Sequence, residues 1–152
     1  MSTNARPIDV AAAAVTLLNS GPAQATFNQT FVAVRDYVPL FDLTAHKAGL
    51  KVTVIPAGLD ESPMARLTID GRVALDVGIQ NWAPTLATKD GLMLLVEQIK
   101  TVMEKGLTLP EAAIDCGWLG TENDPIFRYD HIQQHNVFTS VPRFFYLTRR
   151  AR

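Results

Sequence analysis

A chain of 152 residues, 47% of them hydrophobic, suits one domain with a sizeable core. The net charge is −1, and the one basic cluster, Arg149, Arg150 and Arg152, sits at the C-terminus, which argues against nucleic-acid binding as the main task. No stretch approaches the ~20 apolar residues of a membrane span, and the single cysteine, Cys116, rules out an internal disulfide framework and points to a reducing compartment.

The opening "MSTNARPIDVAAAAVTLL" reads as an amphipathic or buried helix rather than a signal peptide, because Asp9 interrupts its start. Pro7 suits a first helical turn. Ile8, Ala11, Ala12, Val15 and Leu18 recur at helical spacing, and Gly21-Pro22 reads as the stop. Phe31 to Tyr37, β-branched and aromatic, predicts a strand that Pro39 ends or places at an edge. "LKVTVIPAG" predicts a second strand, with Leu50, Val52 and Val54 on one face, ended by Pro56 and Gly58.

"ARLTIDGRVALDVGIQNW" allows two readings. Asp70-Gly71 is a hairpin signal, yet Leu67, Ile69, Val73, Leu75, Val77 and Ile79 all share one parity, as in a single long strand with a local bend. Thr88 can cap a helix running to about Lys105, with Leu92, Leu95, Val96, Ile99 and Met103 as its apolar stripe and Gly106 as its stop. "LTLPEAAIDCGWLGTENDP" then reads as irregular, with room for one short helix or strand. "VFTSVPRFFYLTR" is then a strand with large apolar residues on both parities, which implies burial on both faces or an interface, and Pro142 within it implies a bulge or an edge. The sum is an α+β domain spanning residues 1–152: a largely antiparallel, mixed sheet of four to five strands with two main helices on one face.

His131 and His135 stand four apart, as in a zinc-peptidase helix, but Ile132 occupies the place of the general-base Glu and no third ligand is spaced to help. Cys116 has no base beside it in sequence, the serines lack a nucleophile-elbow setting, and the glycines form no phosphate-cradling loop. No catalytic residue, metal or cofactor is expected. Trp82 and Trp118 are candidate anchors for a partner. Phe138, Phe144 and Tyr146 of the last strand are candidate contacts with a neighbouring subunit.

The order of several short stretches carries a family resemblance. They are Tyr37-Val38-Pro39-Leu40-Phe41, Val52-Thr53-Val54 with Pro56 and Gly58, Leu75-Asp76-Val77-Gly78-Ile79-Gln80, Thr121-Glu122-Asn123-Asp124-Pro125-Ile126-Phe127, and Phe138-Thr139-Ser140. Together, over roughly residues 8 to 149, the chain resembles the tail-terminator or tail-completion (neck) proteins of tailed bacteriophages, which are encoded among head–tail joining genes. It departs from them in "NWAPTLATKDG" and in Pro142.

The resemblance implies a non-enzymatic virion protein assembled in the host cytoplasm. It would form a homo-oligomeric ring, a hexamer, at the head-proximal end of the tail tube, ending tube growth. Its implied partners are its own copies, the tail-tube protein and the head–tail connector, with genome DNA passing through the ring and no membrane involved. Three alternatives stand beside it: a head-side adaptor or stopper beneath the portal, a small metal-dependent hydrolase using His131 and His135, and a host-derived binding module of unknown ligand.

Overall fold

The computed structural model describes residues 4–38, 49–109 and 114–151. The first helix, α1, spans Arg6–Leu18 and has Pro7 in its opening turn. It buries Val10, Ala11, Ala13, Ala14 and Leu18. Gly21-Pro22 does not simply end it. Ser20 caps a further turn, α2 (Gly21–Gln24), by accepting a hydrogen bond from the Ala23 N–H.

The strands that follow are β1 (Ala33–Arg35), β2 (Lys51–Ala65) and β3 (Thr68–Trp82). The Phe31–Tyr37 strand thus contracts to three residues. β2 outruns its expected end. Pro56 and Gly58 mark a register shift rather than a stop, and the strand continues to Ala65. β1 pairs only with Val52, Thr53 and Val54. From Ile55 onward β2 is therefore an edge strand among the described residues, where a residue without an N–H is tolerated. Of the two readings for the next segment, the single long strand holds. Ala65 pairs with Thr68, so the hairpin turns at Arg66-Leu67, and Gly71 lies inside β3 opposite Glu61.

α3 spans Leu86–Met103 and buries the expected stripe of Leu92, Leu95, Val96, Ile99 and Met103. Its cap is Thr85 rather than Thr88, since the Thr85 hydroxyl accepts from the Thr88 N–H. Gly106 follows with φ of 83°, a backbone state that favours glycine. The segment read as irregular contains β4 (Leu107–Leu109), β5 (Ile114–Cys116) and β6 (Trp118–Glu122). A short helix, α4 (Tyr129–His135), ends at Asn136 in the left-handed conformation, with φ of 53°.

The last strand is broken in two, β7 (Val137–Ser140) and β8 (Arg143–Ala151). Both pair with β3, β7 along Ile79–Trp82 and β8 along Thr68–Asp76. The break falls at Pro142. It has no N–H to donate, but its carbonyl still accepts from the Val77 N–H at 3.0 Å.

The main sheet has six strands, in the order β1-β2-β3-β8-β6 with β7 also on β3, and β4-β5 form a separate small pair. All pairings are antiparallel except β1 with β2. The fold is α+β, with one more strand in the sheet than expected. α1 packs on β2, β3 and α3. The core lies between the helices and the sheet face that carries Val52, Val54, Val73, Leu75, Val77, Ile79, Phe144 and Tyr146, all buried.

Candidate subunit interface

The five residues singled out as partner contacts divide into two groups. Phe138, Phe144 and Tyr146 are buried inside this chain's own core, at most 1% exposed. Phe144 and Tyr146 pair across the sheet with Leu75 and Val73 on the face beneath the helices. The Tyr146 hydroxyl donates to the Met103 carbonyl at 2.7 Å, which ties β8 to the end of α3. Burial pushes that phenol's pKa up strongly. Phe138 stacks on Phe127, with ring centroids 6.4 Å apart. Trp82 and Trp118 remain partly exposed, at the end of β3 and on the edge strand β6. The Trp118 indole N–H donates to Thr121 Oγ1 at 3.0 Å.

The second parity of the last strand has its own explanation. On the sheet face away from the helices, the Arg72 guanidinium lies over the Phe145 ring, 3.9 Å from its centroid. Ion pairs flank this stack. Arg143 holds Asp76 through two hydrogen bonds, of 2.7 and 3.1 Å, and Arg149 holds Asp70 at 2.8 Å. The same strand is therefore apolar towards the helices and an arginine–carboxylate ladder, with one aromatic stack, on the other side. Pairs this exposed contribute little stability each, but they fix how β8 lies on β3.

His131 is drawn into a hydrogen-bond chain. Its Nδ1 lies 2.7 Å from Thr139 Oγ1, which also accepts from the Gln80 amide at 3.4 Å. Burial lowers the pKa of His131, with Arg128 and His135 adding to the effect and Asp130 opposing it. In the neutral ring Nδ1 can accept the Thr139 hydroxyl proton. Among the described residues no group of three or more His, Cys, Asp or Glu side chains is placed to hold a metal ion. A shallow recess lined by Asp76, Glu122, Asp124, Val141 and Arg143 collects three carboxylates, but Asp76 is already bound by Arg143. Cys116 is buried, and burial pushes its thiol pKa up, away from the reactive thiolate.

The residues best placed to meet a partner are ones the sequence reading did not single out. The outer half of the β2–β3 hairpin, with the end of β8 paired along β3, lies outside the buried core as an arm. Every residue from Leu59 to Leu67 is exposed. At about 3.3 Å per residue, the stretch Leu59–Ala65 alone extends roughly 20 Å. A second apolar group lies at the β1 edge, where Val32, Val34, Tyr37 and Val38 are exposed.

No protein-family model matches the chain. No curated protein matches it in sequence. A chain of the virion of a native gene transfer agent particle is similar in structure, with a TM-score of 0.54, 15% identity, and coverage of 91% of this chain and 95% of that one. The shared property is the fold. It extends over nearly the whole of both chains, so the likeness is to the α+β arrangement itself and not to one hairpin or helix pair.

Proposed function

We propose that this chain is a structural virion protein that forms a ring, of six copies, at the head-proximal end of a phage tail tube, where it ends tube growth and joins the tail to the head connector. The observation that carries the reading is the likeness in fold, over 91% of this chain, to a chain of a gene transfer agent virion. The sequence resemblance to tail-terminator proteins points the same way and supports that position in the particle.

Physical reasoning supports a ring. A head-to-tail contact uses two different patches on each subunit and closes when the rotation between neighbours divides a full turn. This chain has two separate exposed apolar groups, on the arm and at the β1 edge. Closure uses up both lateral patches and leaves two unlike flat faces, one for the tube end and one for the connector. Such a cap can stop a polymer and also serve as an adaptor.

The experiment deletes the gene from the phage and images the lysate. The expected result is DNA-filled heads without tails, beside tail tubes of uncontrolled length. Normal-length tails joined to heads would overturn the reading. Free tails of correct length beside leaking heads would replace it with a head-side position in the neck.

A further inference from the structure

Gln80 of β3 and Thr139 of β7 are register partners, and both are buried. His131 reaches them from α4, which packs on β7. The three side chains form one line. Gln80 Nε2 donates to Thr139 Oγ1 at 3.4 Å, and Thr139 Oγ1 lies 2.7 Å from His131 Nδ1. His131 Nε2 lies 3.9 Å from Asp130 Oδ2, so the carboxylate favours the neutral ring's proton on Nε2 and leaves Nδ1 to accept. The Thr139 hydroxyl then donates to His131 while its oxygen accepts from Gln80. At the far end, Gln80 Oε1 is buried and has no hydrogen-bond partner among the described residues. Half a turn about the last side-chain bond keeps an amide's shape and exchanges its oxygen and nitrogen. At Gln80 that turn breaks no hydrogen bond of the described residues other than the one to Thr139.

We propose that protonation of His131 reverses this line of hydrogen bonds by turning the Gln80 amide. In the neutral state Gln80 Nε2 donates to Thr139, and Thr139 donates to His131 Nδ1. In the charged state His131 Nδ1 donates to Thr139, and Thr139 donates to Gln80 Oε1. The ring takes one proton from solvent at Nδ1 and nothing leaves. Thr139 keeps its proton and re-aims it, and the amide only rotates. Without the turn, the Thr139 oxygen would face two donors, and its own buried O–H would lose its acceptor, which costs as much as a lost hydrogen bond.

The charged groups acting on His131 lie on its own helix or at that helix's cap: Asp130 favours the charged ring, and Arg128 and His135 oppose it. β7, Val137–Ser140, carries no titratable side chain, and β3 meets the line through the Gln80 amide. The reversal keeps Thr139 bonded on both sides in both charge states. α4 therefore stays tied to β7 as the ring titrates, together with the Arg128 N–H, which donates to the Thr139 carbonyl at 2.9 Å. The moving part of this pH-responsive contact is an amide in the sheet, not the helix. The device does not depend on the ring reading.

The test is NMR on the full chain, labelled with ¹³C and ¹⁵N and titrated from pH 8 to pH 5. The expected result at pH 8 is a neutral His131 protonated on Nε2, with a strong nuclear Overhauser effect between the Gln80 amide protons and the Thr139 Hβ. As pH falls, that effect weakens with the midpoint of the His131 titration. Gln80→Met, of similar length, gives a second reading that does not require the amide to be seen. A reversing amide supports both charge states, so its removal leaves the His131 midpoint in place. A fixed donor opposes the charged ring, so its removal would raise the midpoint by roughly half to one pH unit, the equivalent of one net hydrogen bond. A ring protonated on Nδ1 at pH 8, an Overhauser effect that persists through the titration, or a midpoint raised in Gln80→Met overturns the proposal. Unfolding before the ring titrates overturns it as well, because the reversed line is what holds the charged ring in the fold.

Discussion

The side-chain amide of Asn19 and the backbone of Ala33 form a two-way pair: Asn19 Nδ2 donates to the Ala33 carbonyl at 2.9 Å, and Asn19 Oδ1 accepts from the Ala33 N–H at 2.7 Å. The residue just after α1 thus does for β1 what a neighbouring strand would do. A bare sheet edge is a template for unwanted pairing. Here one amide blocks it at the first residue of β1, and it anchors that edge to the helix layer. Asn19→Ala removes both bonds. At about 0.5–1.5 kcal/mol per net hydrogen bond, the expected loss is about 1–3 kcal/mol, read as a lower urea midpoint with an unchanged slope. Asn19→Asp keeps the acceptor and loses the donor, so it should fall between the two. A midpoint unchanged in Asn19→Ala would show that water replaces the amide at no cost.

Tyr146 tests the link between sheet and helix. Its hydroxyl bonds the Met103 carbonyl, which also accepts from the Gly106 N–H at 3.3 Å. Tyr146→Phe therefore leaves that carbonyl one partner, and the expected cost is about 1 kcal/mol. Tyr146→Ala empties a fully buried site and should cost about 3–5 kcal/mol. Thermal unfolding of the two variants against the parent gives the comparison. Equal losses would mean that the ring contributes no more than its hydroxyl.

The contrast between Phe144 and Phe145 shows how far the sequence could be read. Two parities of large apolar residues in the last strand correctly marked it as closely packed, and the first helix, the α3 stripe and the single parity of β3 were all visible as periodicity. The cover on each face was not visible. Phe144 lies under the helices because β8 pairs with β3 in one register, and Phe145 lies under Arg72 because of that same register. Register is a long-range property that a local pattern does not contain. Pro56 and Gly58 misled for a related reason, since a stop signal in an isolated strand becomes a tolerated register shift once β3 supplies the pairing. The arm was written in the sequence as Leu67 and Ile69 in step with Val73, but its exposure depends on where the helices end.

His131 gives the fold a pH dependence near neutrality. Its pKa is lowered in the folded chain, first by burial, so the unfolded chain binds the proton more readily. Stability from this group is fully present above the unfolded value, about 6.5, and is lost as pH falls through the folded value. Protonation also reverses the hydrogen bond at Thr139, whose oxygen would then face donors from both His131 and Gln80. Urea midpoints should fall between pH 7 and pH 5 in the parent, and this slope should flatten in His131→Gln. Glu61, lowered by its hydrogen bond to Arg150, acts in a separate and more acidic window, as pH drops below the ordinary carboxylate value. A His131→Gln profile parallel to the parent between pH 7 and pH 5 would remove His131 as the cause.

Gly71 is packed closely between β2 and β8. It sits inside β3 with ordinary extended pairing, opposite Glu61 on one side and Thr148 on the other. A Cβ at this position would come within 2.6 Å of Thr148 Oγ1 and would also touch Glu61 and Leu59 at 3.5 and 3.6 Å. The glycine therefore serves close packing between strands, which is why the Asp70-Gly71 turn signal was false. Gly71→Ala must displace the buried Thr148 side chain, and overpacking of this kind costs typically about 1–3 kcal/mol. Thr148→Ala removes the clashing oxygen. In the Gly71→Ala, Thr148→Ala double variant the loss should be smaller than the sum of the two single losses, because the residues are in direct contact. Additive losses would mean that the arm relaxes around the methyl group without involving Thr148.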